Sequence, residues 1–282
     1  MAAPGSIPIE AGATLGALQA RLPLDPLENR ILLCHALGLT RVGLITQSER
    51  TLSAAEAGAL ASLVERRLKG EPIAYIVGRR EFFGLDFLVT DAVLIPRPDT
   101  ELLVELALER LPARARVLDM GTGSGAIAVA LAHARPDAQV TALDASEAAL
   151  DVARTNAAAN GATVRFLHSD WFGELGTEVF DLIVSNPPYI AAGDVHLAQG
   201  DLRFEPLGAL TDRADGLSAL RIIAAGARKH LAAHGWLLME HGYDQAAQVR
   251  ELLAAHRFAE VQSWRDLSGI ERASGGRAGP SG

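Results

Sequence analysis

The sequence predicts an α/β fold in which a mostly parallel, doubly wound sheet follows a small all-helical domain and a β-hairpin linker. The chain opens with helix signals only, continues with a short hairpin pattern, and then alternates strands with helices. Such alternation is typical of a parallel sheet with helices packed on both faces. We expect the helical domain at residues 1–72, the hairpin at 73–95 and the α/β domain at 96–282.

The composition indicates an ordinary globular protein with room for two domains. Of its 282 residues, 49% are apolar and 21% are charged. No apolar run approaches the ~20 residues that span a bilayer, and the N-terminal segment MAAPGSIPIE lacks the basic and apolar regions of a secretory signal. A single cysteine, Cys34, excludes an internal disulfide and a cysteine-based metal site, and the histidines show no metal spacing. These observations predict a cytoplasmic protein without a metal or a membrane attachment.

The net charge argues against a protein that binds a long stretch of nucleic acid. The charge is −8 and the isoelectric point is near 5.5, whereas contacts with many phosphates need clustered Lys and Arg. Residues 1–70 carry seven basic and six acidic side chains. The helical domain is therefore nearly neutral, and the acidic excess lies in the rest of the chain.

Helix caps define the N-terminal domain. The segment DPLENRILLCHALG begins with Asp25 as a predicted N-cap and Pro26 at the first helical position, and Glu28 is placed to close a capping box. The segment SAAEAGALASLVERRLKG has a second predicted capping box, formed by Ser53 and Glu56. We therefore expect a small helical bundle before the hairpin.

The segments after the bundle carry the strands. EPIAYIVGRREFFGLDFLVT, residues 71–90, has the aromatic and β-branched residues of a hairpin, and VLIPRPDTE follows it. Further strands are predicted in ARVLDMG, QVTALDA, TVRFLHS, FDLIVS, WLLMEHG and EVQSWRD. The final segment SGGRAGPSG is rich in glycine and is expected to be disordered. In sheets of this class, ligands bind at the carboxyl ends of the strands.

A glycine loop and a carboxylate predict a site for a nucleoside cofactor. In VLDMGTGSGAIAVALA, a strand is followed by Gly121, Gly123 and Gly125 and then by a helix, whose N-terminus favours negative charge. Asp144 ends the next predicted strand. A carboxylate at that place can accept hydrogen bonds from both hydroxyls of a ribose.

The glycine loop by itself leaves two cofactor classes open. Gly121, Gly123 and Ala126 also satisfy the G-x-G-x-x-A form of the dinucleotide pattern. Asp119, two residues before the first glycine, would repel a pyrophosphate but would tolerate the ammonium group of S-adenosylmethionine. Trp171, just after the third strand of the alternating region, is placed to stack on the adenine base, and a place in the core is the alternative.

The segment SNPPYI, residues 185–190, predicts a site for a planar nitrogen. Pro187 and Pro188 end the strand FDLIVS, because neither residue has a backbone N–H for a sheet. The side-chain oxygen of Asn186 and the carbonyl of Pro187 are two acceptors that can hold both hydrogens of one –NH₂ group. Tyr189 offers a ring face to the group that carries the nitrogen. An amide and the exocyclic amine of a base both fit this arrangement.

Together these motifs resemble a class I S-adenosylmethionine-dependent methyltransferase that acts on an amino group. NPPY is shared by adenine-N6 methyltransferases and glutamine methyltransferases. Other segments resemble the HemK/PrmC family of peptide chain release factor glutamine methyltransferases. These segments are GEPIAYIVGRREFFGLDF, VLIPRPDTE, RFEPLGALTDRADGL and MEHGYDQ, in the family's order. The resemblance runs from about residue 10 to residue 277.

The resemblance implies methylation of the side-chain amide nitrogen of the glutamine in the Gly-Gly-Gln motif of class 1 release factors. It implies that the helical domain helps to bind the release factor, and that Arg97 and Glu101 help to close the site. By match to the family motifs, the cofactor residues would be Gly121, Thr122, Gly123, Ser124, Gly125, Asp144, Trp171 and Asn186. The catalytic residues would be Asn186, Pro187 and Tyr189, and Pro188 would join them in binding the substrate. The product of the cofactor would be S-adenosylhomocysteine.

Three other functions are compatible with some of these motifs. An adenine-N6 methyltransferase of DNA or RNA would share the chemistry of NPPY, but it should also show a basic target-recognition region. A cofactor-binding protein without activity would have no use for NPPY. A dinucleotide oxidoreductase depends on the ambiguous glycine loop alone and is disfavoured by Asp119.

Overall fold

The computed structural model describes residues 9–279, and these residues form two compact units that divide between Gly78 and Arg79. Residues 1–8, which include most of the segment considered as a secretory signal, and residues 280–282 of the glycine-rich tail lie outside the described residues. Within residues 9–279, no helix combines the length and the apolar character needed to cross a membrane.

The first unit is helical. Its helices are α1 (Leu15–Arg21), α2 (Pro26–Leu37), α3 (Arg41–Thr46), α4 (Ala54–Leu68) and α5 (Ile73–Val77). The predicted caps are present at Asp25, which accepts from Leu27 N at 2.8 Å, and at Ser53, which forms a capping box with Glu56. Glu28 forms no capping box and instead pairs with Arg67. The core consists mainly of leucines from α1, α2 and α4.

The α5 helix corrects part of the predicted hairpin. Its sequence, IAYIV, favours a strand by composition. The structure forms one helical turn there, with Pro72 at its N-cap and Gly78 ending it in the left-handed conformation. Ala74 and Ile76 are buried on this turn, so packing overrides the local preference. The hairpin itself is confirmed in the residues that follow, as β1 (Arg79–Phe82) paired antiparallel with β2 (Leu85–Leu88).

The second unit contains the large sheet. After the hairpin it comprises α6 (Glu101–Arg110), β3 (Arg116–Met120), α7 (Ala126–Ala134), β4 (Gln139–Asp144), α8 (Glu147–Ala159), β5 (Val164–His168), β6 (Phe180–Ser185), α9 (Leu207–Leu210), α10 (Ser218–His230), β7 (Leu231–Glu240), α11 (Ala246–Ala255), β8 (Ala259–Arg265) and β9 (Glu271–Arg277). Among the described residues the sheet has the strand order β5-β4-β3-β6-β7-β9-β8. The five strands from β5 to β7 are parallel, and β9 is antiparallel to both of its neighbours.

This topology confirms the predicted mostly parallel, doubly wound sheet. Successive residues of β3 enter different core clusters: Val117 belongs to one cluster with α6 and α7, and Leu118 to another with α10 and α11. The chain leaves β3 toward β4 and β5, and then returns to the other side of β3 with β6. The crevice at the carboxyl ends of these strands is the usual ligand position in such sheets.

The first four residues of the glycine-rich C-terminal segment belong to a strand, so the prediction of disorder was wrong for residues 274–277. β9 lies between β7 and β8 and is closely packed. A Cβ atom on Gly275 would lie 2.5 Å from the carbonyl oxygen of Leu237, and one on Gly276 would lie 2.8 Å from Cβ of Phe258. Glycine allows the strand to fit there, and Ser274 adds a hydrogen bond to His241 at 2.7 Å.

Candidate active site

A cavity of about 390 Å³ lies at the carboxyl ends of the parallel strands. Its wall contains the glycine loop after β3, Asp144 at the end of β4, Trp171 after β5 and Asn186 after β6. Residues before α6 and around α9 complete the wall. The structure therefore brings together polar groups from four successive strand ends, as the sequence predicts for this class of sheet.

Backbone conformation shapes the glycine loop. Gly121, Gly123 and Gly125 have φ angles of 72°, 54° and 83°, a region that favours glycine. Gly125 is also the N-cap of α7, and a Cβ atom there would lie 3.1 Å from Cβ of Ala153. At Gly121 and Gly123 an added Cβ would meet no atom within 4 Å. The first two glycines thus leave open space beside the backbone, and the third allows close packing on α8.

Asp144 is held against the glycine loop by backbone donors. Its Oδ2 accepts from Gly123 N at 2.9 Å, and its Oδ1 accepts from Ser146 N at 2.9 Å. Burial raises the pKa of this carboxyl above its ordinary value, while the backbone N–H groups oppose that shift. Each carboxylate oxygen retains capacity for another hydrogen bond. The side chain can therefore receive a pair of hydroxyl groups from the cavity.

Asp119 lies beneath the glycine loop and is absent from the described residues that line the cavity. Its Oδ2 accepts from Thr122 Oγ1 at 2.6 Å and from Ala128 N at 3.2 Å. Oδ1 is buried without a hydrogen-bond partner among the described atoms, and burial raises the pKa to about 7. The structure thus supports a role for Asp119 in holding the loop. It weakens the argument that a full charge at Asp119 selects the cofactor.

Trp171 combines the two places that the sequence left open. Trp171 lines the cavity, and its side chain is half-buried against the core cluster that contains α10. The backbone has a φ angle of 50°, and Ser169 Oγ donates to the carbonyl of Trp171 at 2.8 Å. A tight turn thus presents the indole at the cavity wall.

The NPPY segment follows β6 and divides between the cavity and the interior. Asn186 and Pro188 line the cavity, whereas Pro187 is buried and Tyr189 is half-buried outside the lining. Asn186 Nδ2 donates to Thr100 Oγ1 at 3.1 Å. No hydrogen bond among the described residues uses Asn186 Oδ1, so the amide oxygen remains available as an acceptor.

A buried carboxylate supports the NPPY segment from behind. Glu240, at the end of β7, is 1% exposed. Its Oε2 accepts from Thr100 Oγ1 at 2.7 Å, and its Oε1 accepts from the Tyr189 hydroxyl at 3.1 Å. Gln245 Nε2 in turn donates to the backbone carbonyl of Tyr189 at 3.0 Å.

Two families match separate parts of the chain. The methyltransferase small domain matches residues 98–201, and the PrmC N-terminal domain matches residues 14–78. A release factor glutamine methyltransferase from Burkholderia pseudomallei is 57% identical over 274 residues, which cover 94% of this chain and 96% of that protein. A protein of the same name from Bordetella pertussis is 56% identical over 256 residues, 90% of this chain and 95% of its own length.

The chain belongs to the release factor glutamine methyltransferase family. The resemblance to the HemK/PrmC family is thereby confirmed. A methyltransferase of known structure from Pyrococcus furiosus has a TM-score of 0.54 and 22% identity, and covers 76% of this chain and 97% of its own. That likeness supports the class I methyltransferase fold alone.

The segments IPRPDTE and RFEPLGAL, on which the resemblance rests in part, meet at the cavity. Glu205 has a fully buried side chain that accepts from Ile95 N at 3.0 Å and forms an ion pair with Arg97, which lines the cavity. Glu101 instead accepts from Phe83 N at 2.9 Å in the hairpin turn and is not among the described lining residues. Of the two residues expected to close the site, the structure brings only Arg97 to the cavity wall.

Sequence reasoning missed three polar residues of this methyltransferase site: Thr100, Glu240 and Gln245. Each lies in a segment, VLIPRPDTE or MEHGYDQ, that contributed to the family resemblance only as a whole. A signal was present for Glu240, because a carboxylate directly after the apolar strand WLLM marks the carboxyl end of a buried strand. In the described part of the chain, no group of three or more His, Cys, Asp or Glu side chains could hold a metal ion. The expected absence of a metal stays a prediction.

Proposed function

We propose that this protein transfers a methyl group from S-adenosylmethionine to the side-chain amide nitrogen of the glutamine in the Gly-Gly-Gln motif of class 1 release factors. One observation carries the proposal within the site. Asn186 lines the cavity and its side-chain nitrogen is bonded to Thr100, so its side-chain oxygen is left to accept a hydrogen bond from an amide. Membership of the release factor glutamine methyltransferase family supports the choice of substrate.

The residues around the cavity fit S-adenosylmethionine. The open space beside Gly121 and Gly123 admits a ligand against the backbone, and Asp144 is placed to receive the ribose hydroxyls. The half-buried ring of Trp171 offers a face to the adenine. Thr122 and Ser124, both buried within the loop, complete the cofactor residues that we propose. When bound, the cofactor supplies an electrophilic methyl group.

The acceptor side of the site holds and orients the amide nitrogen. We assign the two hydrogens of the glutamine –NH₂ group to Asn186 Oδ1 and to the carbonyl of Pro187. Delocalisation of the lone pair makes an amide nitrogen a poor nucleophile, and it resists twisting by ~18–20 kcal/mol. Two rigid acceptors favour the pyramidal nitrogen of the transition state over the planar nitrogen of the ground state. This difference lowers the barrier to methyl transfer. Tyr189 and Pro188 flank the substrate. Alignment of its nitrogen with the methyl group of the cofactor lowers the barrier further.

The partner and the location follow from the same proposal. A release factor is a macromolecular substrate, and the nearly neutral helical unit suits contact with a protein surface better than contact with nucleic acid. Neither membrane binding nor extended nucleic-acid binding forms part of the proposed activity. Because release factors act in translation, we place the enzyme in the cytoplasm.

Transfer of a labelled methyl group to three acceptors tests the function. The acceptors are a bacterial class 1 release factor, the same factor with its Gly-Gly-Gln glutamine changed to alanine, and duplex DNA. We expect label on the first alone. Label on the alanine variant would show that another residue of the release factor is methylated. Label on DNA would replace the proposal by the adenine-N6 alternative, which shares the NPPY chemistry.

A further inference from the structure

We infer that Glu240 and Thr100 are positioning residues that fix which end of the Asn186 amide faces the cavity, and so make the site select a substrate with N–H groups to donate. The inference rests on the proposed function, since it concerns the same acceptor atom. It gives a role to Thr100 and Glu240, two residues of the segments VLIPRPDTE and MEHGYDQ to which the resemblance assigned none. Neither residue needs to touch the substrate to have this effect.

The direction of the hydrogen bonds follows from the chemistry of the three groups. Above the pKa of about 7 that burial gives Glu240, its ionised carboxylate can only accept, so the hydroxyl of Thr100 must donate to Glu240 Oε2, at 2.7 Å. A hydroxyl has one hydrogen, so Thr100 Oγ1 can then only accept from Asn186, at 3.1 Å. The amide must present its –NH₂ end to Thr100. Its oxygen is therefore the end left for the cavity.

The relay joins parts of the unit that are distant in sequence. Thr100 precedes α6, Asn186 follows β6, and Glu240 ends β7, with separations of 86 and 140 residues along the chain for the two hydrogen bonds. Thr100 is 4% exposed and Glu240 is 1% exposed. At such burial a missing partner is costly, so the arrangement has little freedom to reverse.

The same carboxylate also orients the second residue proposed to hold the substrate. The Tyr189 hydroxyl donates to Glu240 Oε1 at 3.1 Å, while Gln245 holds the Tyr189 carbonyl. One buried group thus fixes the amide of Asn186 on one oxygen and the ring of Tyr189 on the other. This double use explains why an ionisable residue, rather than an apolar one, stands at the end of β7.

Reversal of the Asn186 amide would invert the preference of the site. Its –NH₂ end would then face the cavity and would favour a substrate group that accepts hydrogen bonds. A glutamate in the Gly-Gly-Gln position is such a group, since a carboxylate has acceptors only. The ratio of affinities for the glutamine and glutamate forms of a release factor therefore reports the orientation of Asn186 without any methyl transfer.

The test measures this ratio by calorimetric titration of the full-length enzyme with S-adenosylhomocysteine present. We expect the wild-type enzyme to bind the glutamine form at least ~10-fold more tightly than the glutamate form. Thr100→Val, which keeps the shape and removes the hydroxyl, should bring the ratio close to one and lower kcat by ~10-fold to ~100-fold. Thr100→Ser should restore both values.

A second variant keeps the inference open to refutation if Thr100→Val fails to fold. In Glu240→Gln, the new amide can donate to Thr100, so both orientations of Asn186 become populated. The affinity ratio should then lie between those of the wild-type enzyme and Thr100→Val. Thr141→Val is the matched control, because Thr141 is also buried in this unit but its hydroxyl contacts Arg165. It should leave the ratio and kcat unchanged.

One result would overturn the inference: an affinity ratio unchanged in folded Thr100→Val or Glu240→Gln. An equal loss of affinity for both forms of the release factor, which a merely structural role would produce, is such a result because it leaves the ratio unchanged. Failure of the proposed function is recognised separately, in the labelled-methyl assay of the wild-type enzyme, as absence of label on the release factor with its glutamine intact.

Discussion

The two sides of the cavity are built by different means. On the cofactor side, the backbone conformation shapes the site. Gly121, Gly123 and Gly125 adopt left-handed conformations, and the N–H of Gly123 donates to Asp144. On the acceptor side, side chains from remote segments support the NPPY residues through Glu240. The first side depends on local conformation, and the second depends on the tertiary arrangement of β6, β7 and the start of α6.

This difference implies that the two sides fail in different ways. A loop held by backbone geometry is damaged by a side chain that its φ angle or its neighbours do not allow. A side chain held by a hydrogen-bond relay is damaged by loss of one hydroxyl or one amide, with the backbone unchanged. Substitutions should therefore separate cofactor binding from methyl transfer.

Asn186→Ala should have the largest effect, because it removes the acceptor that holds the substrate nitrogen. We expect methyl transfer to fall by ~100-fold to ~1000-fold, by analogy with the loss of one polarising hydrogen bond in other active sites. The affinity for S-adenosylmethionine, measured by titration of the same preparation, should change little. Normal transfer by this variant would refute the two-acceptor arrangement.

Gly125→Ala should weaken the cofactor side of the cavity. Alanine is strained at a φ angle of 83°, and its Cβ would lie 3.1 Å from Cβ of Ala153. We expect the Kd for S-adenosylmethionine to rise about 10-fold, a value consistent with a strain of ~1–2 kcal/mol. Gly58→Ala in α4 is the control, because an added Cβ there meets no atom within 4 Å. A cofactor affinity unchanged in Gly125→Ala would contradict the role of backbone geometry.

Gly275→Ala should weaken the acceptor side indirectly. The added Cβ would lie 2.5 Å from the Leu237 carbonyl in β7, the strand that ends at Glu240. We expect the free energy of unfolding to fall by ~1–3 kcal/mol, the usual cost of overpacking. Thermal melting measures the loss, and kcat at a permissive temperature should fall more than cofactor affinity does. Equal melting temperatures for the variant and the wild-type protein would show that β9 can move away from β7.

The pH dependence should give the smallest effect. Burial raises the pKa of Glu240 to about 7. The charged and titratable groups that face it are Arg272, Asp99 and Tyr189. As the pH falls through 7 the carboxyl gains a hydrogen, so Thr100 is free to turn its own hydrogen toward Asn186. At saturating cofactor, kcat should fall by up to about 10-fold one pH unit below the pKa.

Stability should change with pH in the opposite direction. Because the folded pKa of Glu240 lies above its ordinary value of 4.5, the folded state binds this proton more strongly than the unfolded state. That stabilisation is complete below about pH 4.5 and is lost as the pH rises through about 7. Glu240→Gln should flatten the kcat profile but only part of the stability profile, since Asp119 has a similarly raised pKa. A kcat profile in Glu240→Gln identical to that of the wild-type enzyme would assign the titration elsewhere.

Much of the fold was predictable because its signals are local. Alternating apolar strands and capped helices indicate a doubly wound sheet before any contact is known. The glycine loop was predictable for the same reason, since a left-handed backbone favours glycine and three glycines in alternate positions mark such a loop. Pro187 and Pro188 likewise mark the end of β6 by their missing N–H groups.

The errors fall where distant packing decides the outcome. Glycine-rich residues 274–277 were expected to be disordered, yet Gly275 and Gly276 are what allow β9 to fit beside β7 and β8. Ile73–Val77 has strand-like composition, yet burial of its apolar residues makes one turn of helix. Local composition carries no information about the neighbour that a segment will meet.

The sequence by itself determined the class of sheet, the position of the cofactor loop and the presence of a rigid NPPY turn, because each depends on the backbone preferences of adjacent residues. Only the tertiary structure decided that Glu101 belongs to the hairpin, that Asp119 lies beneath the loop, and that Glu240 supports the acceptor side. These outcomes depend on hydrogen bonds between residues far apart in the chain. Such bonds exist only after folding has brought the ends of separate strands together.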